Sequence, residues 1–168
     1  MRNAGGAAAL EFALVATPVI FLILAALELG LILTMSSALD SATTTVARQI
    51  RLGQMQQTGV SSASSIVQAI CSNMGWQAAD CTSNLAVDVE SYSSFSGATP
   101  NNPVVNGTFT PNNLSFNMGG PGDIVLIKAY YQWKILTPFL NSGFSSLSNG
   151  TTLIVSTSMF RNENFLSS

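Results

Sequence analysis

The side chains able to do chemistry are few, and their types set narrow limits. The 168 residues include no His and only two cysteines, Cys71 and Cys81. Without imidazole there is no Ser-His-Asp or Cys-His nucleophile system, no His general base and none of the commonest zinc sites. On the outer side of a membrane, or outside a cell, two cysteines this close pair as a disulfide. The alternatives are two buried free thiols or a metal site lacking its other ligands. The bridge is favoured, and a ring of this size contributes roughly 2.5–3 kcal/mol in the loop-entropy model. Asp40, Asp80, Asp88, Glu90 and Asp123 are scattered, with no spacing like that of a calcium loop. They read as a solvated face. Two other carboxylates, Glu11 and Glu28, stand in apolar sequence, where a charge must find a partner or reach water.

Composition narrows the function classes further. Charged residues make up 8% of the chain, against roughly 25% in an ordinary soluble domain. Apolar residues make up 47%, and mean hydropathy is +0.37. Disorder needs the opposite balance. With 6 Lys+Arg against 8 Asp+Glu there is no basic surface to neutralise a phosphate backbone, which argues against nucleic-acid binding. No cofactor is implied, and an enzyme is the weakest reading.

The elements that hold these residues are legible from pattern. From Phe12 to Met35 the chain is apolar with one charge, Glu28. About 20 apolar residues cross a hydrocarbon core of roughly 30 Å as a helix, so this stretch spans a bilayer with some tilt. A secretory signal has an apolar run of only about 7–15 residues, which this stretch exceeds. Arg2, the one basic residue before the span, gives a weak positive-inside signal: N-terminus cytoplasmic, body outside. Pro18 withdraws a hydrogen bond from the carbonyl of Leu14. Glu28 faces a protein partner, or lies near the outer interface and reaches water; register and tilt leave both open.

Beyond the span, Leu39, Ala42, Val46 and Ile50 form a helical stripe, so the helix continues as an amphipathic half with Arg48 and Arg51 outside. A second helix starts at the Ser61/Ser62 cap and ends at Gly75, with Ile66, Val67 and Ile70 apolar. Leu85, Val87 and Val89 alternate with Ala86, Asp88 and Glu90, a half-buried strand with a charged outer face. Residues 123–135 and 153–160 read as two further strands. Residues 91–122 contain no charge and are rich in Asn, Ser, Gly and Pro. They read as an exposed surface loop, or as an extra hairpin turning at Asn106-Gly107.

Both ends of the chain carry a resemblance. Gly6 is followed by Ala7-Ala-Ala-Leu-Glu11-Phe, with the acidic residue fifth after the glycine and a long apolar run behind it. This resembles a type IV prepilin signal, in which the glycine ends the leader. The wording GGAAALEFALVATPVIFLILAALELG resembles the TadE-like minor pilins of the tight-adherence (Flp-type) pilus. The segments GDIVLIKAYYQWKILTPFL and FRNENF are similar to that family's strand-plus-TPF segment and closing motif, and the cysteine pair falls where such proteins often have one. Leu31 departs from the pattern where an Arg often stands, and Asn164 where a Pro is common.

The resemblance implies a leader over residues 1–6, cut between Gly6 and Ala7 by a prepilin peptidase. A membrane and assembly helix over 7–35 and a periplasmic pilin-like domain over 36–168 would follow. Glu11 would then pair with the new amino terminus of a neighbouring subunit, while Glu28 meets a different partner or water. The implied partners are other minor pilins, the major pilin, the prepilin peptidase, an inner-membrane assembly platform and the membrane. The implied role is to initiate or cap a pilus used for surface adhesion. The runner-up is a membrane-anchored or secreted binding module that recognises a ligand through loop 91–122. The expected fold is α+β: a long N-terminal helix packed on a small antiparallel sheet, as in type IV pilins.

Overall fold

The computed structural model describes residues 4–75, 80–97 and 102–165. Met1–Asn3 of the expected leader, with Arg2, lie outside the described residues, as does Trp76 between the cysteines. The first element is a single helix, α1 (Ala4–Arg51), of 48 residues. It runs unbroken through Pro18, and its two halves bury themselves differently. From Leu10 to Leu33 the large apolar side chains other than Ile32 are exposed, among them Phe12, Leu14, Phe21, Leu22, Leu27 and Leu33. From Met35 onward the stripe turns inward: Leu39, Ala42, Val46 and Ile50 are all buried. The spacing of 3, 4 and 4 residues keeps these four on one face, and that face meets a sheet.

The sheet has the order β1-β4-β5 and is antiparallel throughout. Its strands are β1 (Leu85–Tyr92), β4 (Ile124–Lys134) and β5 (Thr151–Arg161). The register aligns Val87, Ala129 and Ser156 in one row, and Val89, Ile127 and Ser158 in the next. This face carries the core together with Met35, Ile66, Ile70 and Ile154. Small side chains on β5 let α1 lie close, and the Ser156 hydroxyl donates to Asp40 Oδ1 on α1 at 2.9 Å. Burying roughly ten such aliphatic side chains, at about 1.5–3 kcal/mol each, is the main drive that joins helix to sheet.

After Arg51 the chain turns at Gly53 into the short α2 (Gln54–Gln57), then into α3 (Ala63–Asn73). Ser62 has the extended backbone of an N-cap, but its hydroxyl meets the Ser64 and Ser65 hydroxyls rather than a backbone N–H. Ile66 and Ile70 are buried, whereas Val67 is only half-buried. Cys71 on α3 and Cys81 at the start of the one-turn α4 (Cys81–Asn84) form a disulfide, with Cα atoms 5.6 Å apart. The bridge ties α3 to the turn that opens β1.

The opposite face of the sheet is not the solvated surface that the alternation of β1 suggests. The segment after β1 folds back across it. It contains the hairpin β2 (Val104–Val105) and β3 (Thr108–Phe109), joined by Asn106 (φ 50°) and Gly107 (φ 73°). Two consecutive positive φ values define the tight hairpin turn expected of Asn-Gly. Phe109 packs on Tyr130 with ring centroids 5.5 Å apart. Further on, Val89 N–H donates to Ser115 and Asn117 N–H donates to Val89, which adds a short parallel bridge along β1. After β4 come a 3-10 turn (Pro138–Leu140) and the one-turn α5 (Asn141–Phe144). The architecture is the expected α+β.

Candidate assembly site

Glu11 and Glu28 share α1 but have opposite surroundings. Glu11 is exposed and makes no hydrogen bond or ion pair among the described residues. Glu28 is 2% exposed. Of the two destinations left open for it, water at the outer interface is not the one taken. Its partner is this chain's own segment after β4. Trp133 Nε1–H and the Leu136 N–H donate to Oε1, each at 3.2 Å. The Thr137 N–H and hydroxyl donate to Oε2, also at 3.2 Å. Four donors therefore converge on one carboxylate from residues more than a hundred positions away.

The local backbone explains why the donors are available. β4 ends at Lys134, so the next amides have no strand partner. A carboxylate that accepts several N–H bonds stands in for that missing partner, and charge-assisted bonds of this kind are the stronger ones. The Leu140 N–H donates to the Thr137 carbonyl at 2.9 Å, which closes the turn. Ile135 and Leu140 point inward and are buried, while Leu136 and Phe139 point outward at 63% and 84% exposure.

The closing motif holds the loop before β4 through Asn162 and the other end of α1 through Glu163 and Phe165. Asn162 is buried, and its side-chain amide donates to the carbonyls of Met118 and Gly120, both at 3.0 Å. Glu163 pairs with Arg51 at 2.9 Å and donates its own N–H to the Arg51 carbonyl at 2.9 Å. Both charged groups are half-exposed, so the ion pair itself contributes about 0–1 kcal/mol. The ring of Phe165 lies against Gly53, where an added Cβ would overlap it.

Of the scattered acids, Asp40 and Asp80 are exposed and Glu90 and Asp123 partly so, but Asp88 departs from the expected solvated face. Asp88 is 2% exposed, and its Oδ1 accepts the Ser115 N–H at 2.8 Å. Burial pushes its carboxyl above the ordinary value of 3.8, the Ser115 bond opposes this, and Glu90 reinforces it. The Tyr92 hydroxyl donates to Glu90. Burial, with Asp88 and Glu90 nearby, raises the Tyr130 phenol to about 12. Among the described residues no three metal-ligating side chains cluster. An open groove of about 390 Å³ lies between Asn102–Val104 and the outer face at Lys128, Tyr130 and Val155.

A raised carboxyl means that the folded state holds its proton more tightly than the unfolded chain. Asp88 therefore lowers stability as pH rises from 3.8 through its folded value, and the penalty persists at neutral pH. Asp88→Asn keeps an acceptor for Ser115 and removes the charge. It should raise the unfolding temperature at pH 7 and flatten its pH dependence above pH 4. A lower unfolding temperature at pH 7 would show instead that the charge is needed by Lys128 across the strand pair.

No curated protein and no solved structure matches the chain. Residues 6–48, which take in the exposed apolar half of α1 and most of its buried amphipathic half, are similar to a known family: they match the model described as TadE-like protein.

Proposed function

We propose that the protein is a minor pilin of a tight-adherence pilus, structural rather than catalytic. It is held in the inner membrane by the first half of α1, with the sheet domain in the periplasm. The observation that carries this reading is the division of α1. From Leu10 to Leu27 its large apolar side chains are all exposed and form a continuous apolar surface, within the stretch that matches the TadE-like model. An exposed surface of that length needs lipid or neighbouring helices around it. In a membrane, and later in a filament, it has each in turn.

Maturation by a prepilin peptidase between Gly6 and Ala7 accounts for Glu11. Cleavage supplies an amino group at Ala7, and Glu11, which has no partner within the described chain, offers the charge to dock it on a neighbour. Glu28, engaged within the chain, acts in assembly only through the loop it positions. Partner minor pilins, the major pilin and the assembly platform are the expected contacts, and initiating or capping the pilus is the expected role.

N-terminal mass spectrometry of protein from piliated cells tests the reading. The mature chain should begin at Ala7, and Gly6→Val should leave an uncut precursor in the membrane. Glu11→Ala should be cut normally yet fail to co-purify with partner pilins. An uncut wild-type chain would instead favour the membrane-anchored binding module. If Glu11→Ala assembles as well as wild type, Glu11 is only a boundary residue.

A further inference from the structure

We propose that the turn after β4, residues 135–140, is a second membrane contact: Leu136 and Phe139 enter the outer edge of the bilayer beside α1. The inference rests on the reading of α1 as a membrane span and adds to it a site on the sheet domain.

The depth of the turn follows from Glu28. Its carboxylate bonds the amides of Leu136 and Thr137, which fixes the turn against α1 at that level. Exposed apolar side chains of α1 continue on both sides of that level, at Leu27, Leu29 and Leu33. A hydrocarbon core of about 30 Å takes up about 20 helical residues. Counted from Leu10, that core ends near Leu29. Glu28 and everything bonded to it then sit at the outer boundary of the bilayer.

The chemistry of the turn suits that position. Leu136 and Phe139 are among the most exposed large apolar side chains outside α1, and they flank the residues that Glu28 holds. No charged residue occurs between Lys134 and Arg161. Irregular backbone is expensive beside lipid unless its polar groups are satisfied. Here the Leu136 and Thr137 amides go to Glu28, and the Thr137 carbonyl takes the Leu140 amide. Satisfaction is mutual, since the same bonds make a carboxylate tolerable at that depth. Trp133, with its indole N–H on Glu28, and the exposed Lys134 flank the turn as residues that favour a membrane–water boundary.

The experiment uses the full chain in vesicles of phosphatidylethanolamine and phosphatidylglycerol, with the Cys71–Cys81 bridge intact. One cysteine at a time is introduced by Phe139→Cys, Phe21→Cys or Gln57→Cys and labelled with an environment-sensitive fluorophore. Quenching is then read with lipids carrying a spin label near the headgroup for positions 139 and 57, and deep in the acyl chain for position 21. Position 57 lies beyond the far end of α1, more than about 30 Å from Glu28 along the helix. The label at 139 should emit to the blue of that at 57 and be quenched several-fold more strongly. Quenching at 21 but not at 139 overturns the proposal while leaving the membrane span intact. No quenching at 21 overturns the span and the proposal together. A blue-shifted label at 139 that ignores lipid quenchers and responds to dilution of protein in the vesicle assigns the turn to a second copy, which also overturns it.

Discussion

Glu28→Ala is expected to lower the stability of the full chain in detergent by roughly 3 kcal/mol, the scale for stranding several buried donors at once. The substitution leaves the Trp133 indole, the Leu136 and Thr137 amides and the Thr137 hydroxyl without the acceptor they share. These terms do not add simply, because the turn relaxes once it is released. Glu28→Gln keeps one oxygen and turns an NH₂ toward donors, so it should fall between alanine and wild type. The local readout is amide exchange, in which Leu136 and Thr137 lose protection while the amides of Val125–Ala129 keep theirs. The core of sheet and amphipathic half-helix does not include Glu28. If Glu28→Ala leaves the exchange of Leu136 unchanged, the carboxylate does not hold the turn.

The second large effect is expected at Gly53. Its backbone lies at φ +73°, in the left-handed region that side chains rarely adopt, and an added Cβ would overlap the Phe165 ring. Gly53→Val combines both penalties and should cost about 3 kcal/mol, with backbone strain supplying about 1–3 kcal/mol of it. Phe165 is a half-buried side chain that can move, which makes the two contributions separable. Gly53→Ala should cost clearly more in the native chain than in a Phe165→Ala background. A strictly additive pair in thermal unfolding would mean that the ring does not press on Gly53, and that the closing motif holds α1 through Glu163.

What could be read in advance follows from the range over which each feature acts. The stripe Leu39, Ala42, Val46, Ile50 and the Asn106-Gly107 turn are set by neighbours in sequence, and both have the expected structure. The bridge joins two cysteines ten positions apart, and the compartment expected for them and the lack of His favour it. Glu28 was conspicuous as a carboxylate in an apolar run, but its partners lie 105–109 positions away. The amides that meet it carry no side-chain signature. The TPF segment marked the place without giving the reason. Asp88 went astray differently. Alternation along β1 correctly divides its two faces, but it cannot say that residues 102–120 return to cover the outer one. A signal existed in the uncharged, Asn-rich composition of 91–122, which suits chain lying on a sheet as well as chain exposed to water. Ser62 occupies the capping position without making the capping bond, because two further serines compete for its hydroxyl.

The pairing of α1 with β5 also sets an order of events. The buried stripe of α1 is among the first sequence to emerge, yet the strand it lies against, Thr151–Arg161, is among the last. β4 is the central strand, so the sheet is complete only when β5 joins it. On the proposed reading of α1 as a membrane span, the outer half of α1 then waits beyond the membrane with its stripe short of the strand it packs against. Contacts of such long sequence separation form slowly, since the loop between them must close first. On that reading the newly exported chain passes through a stage in which its longest helix is made and its core is not complete. In that stage the bilayer surface is the nearest apolar shelter for the stripe. Glu163, which holds Arg51 of α1, comes almost immediately after the strand, so on that reading export and closure of the domain finish together.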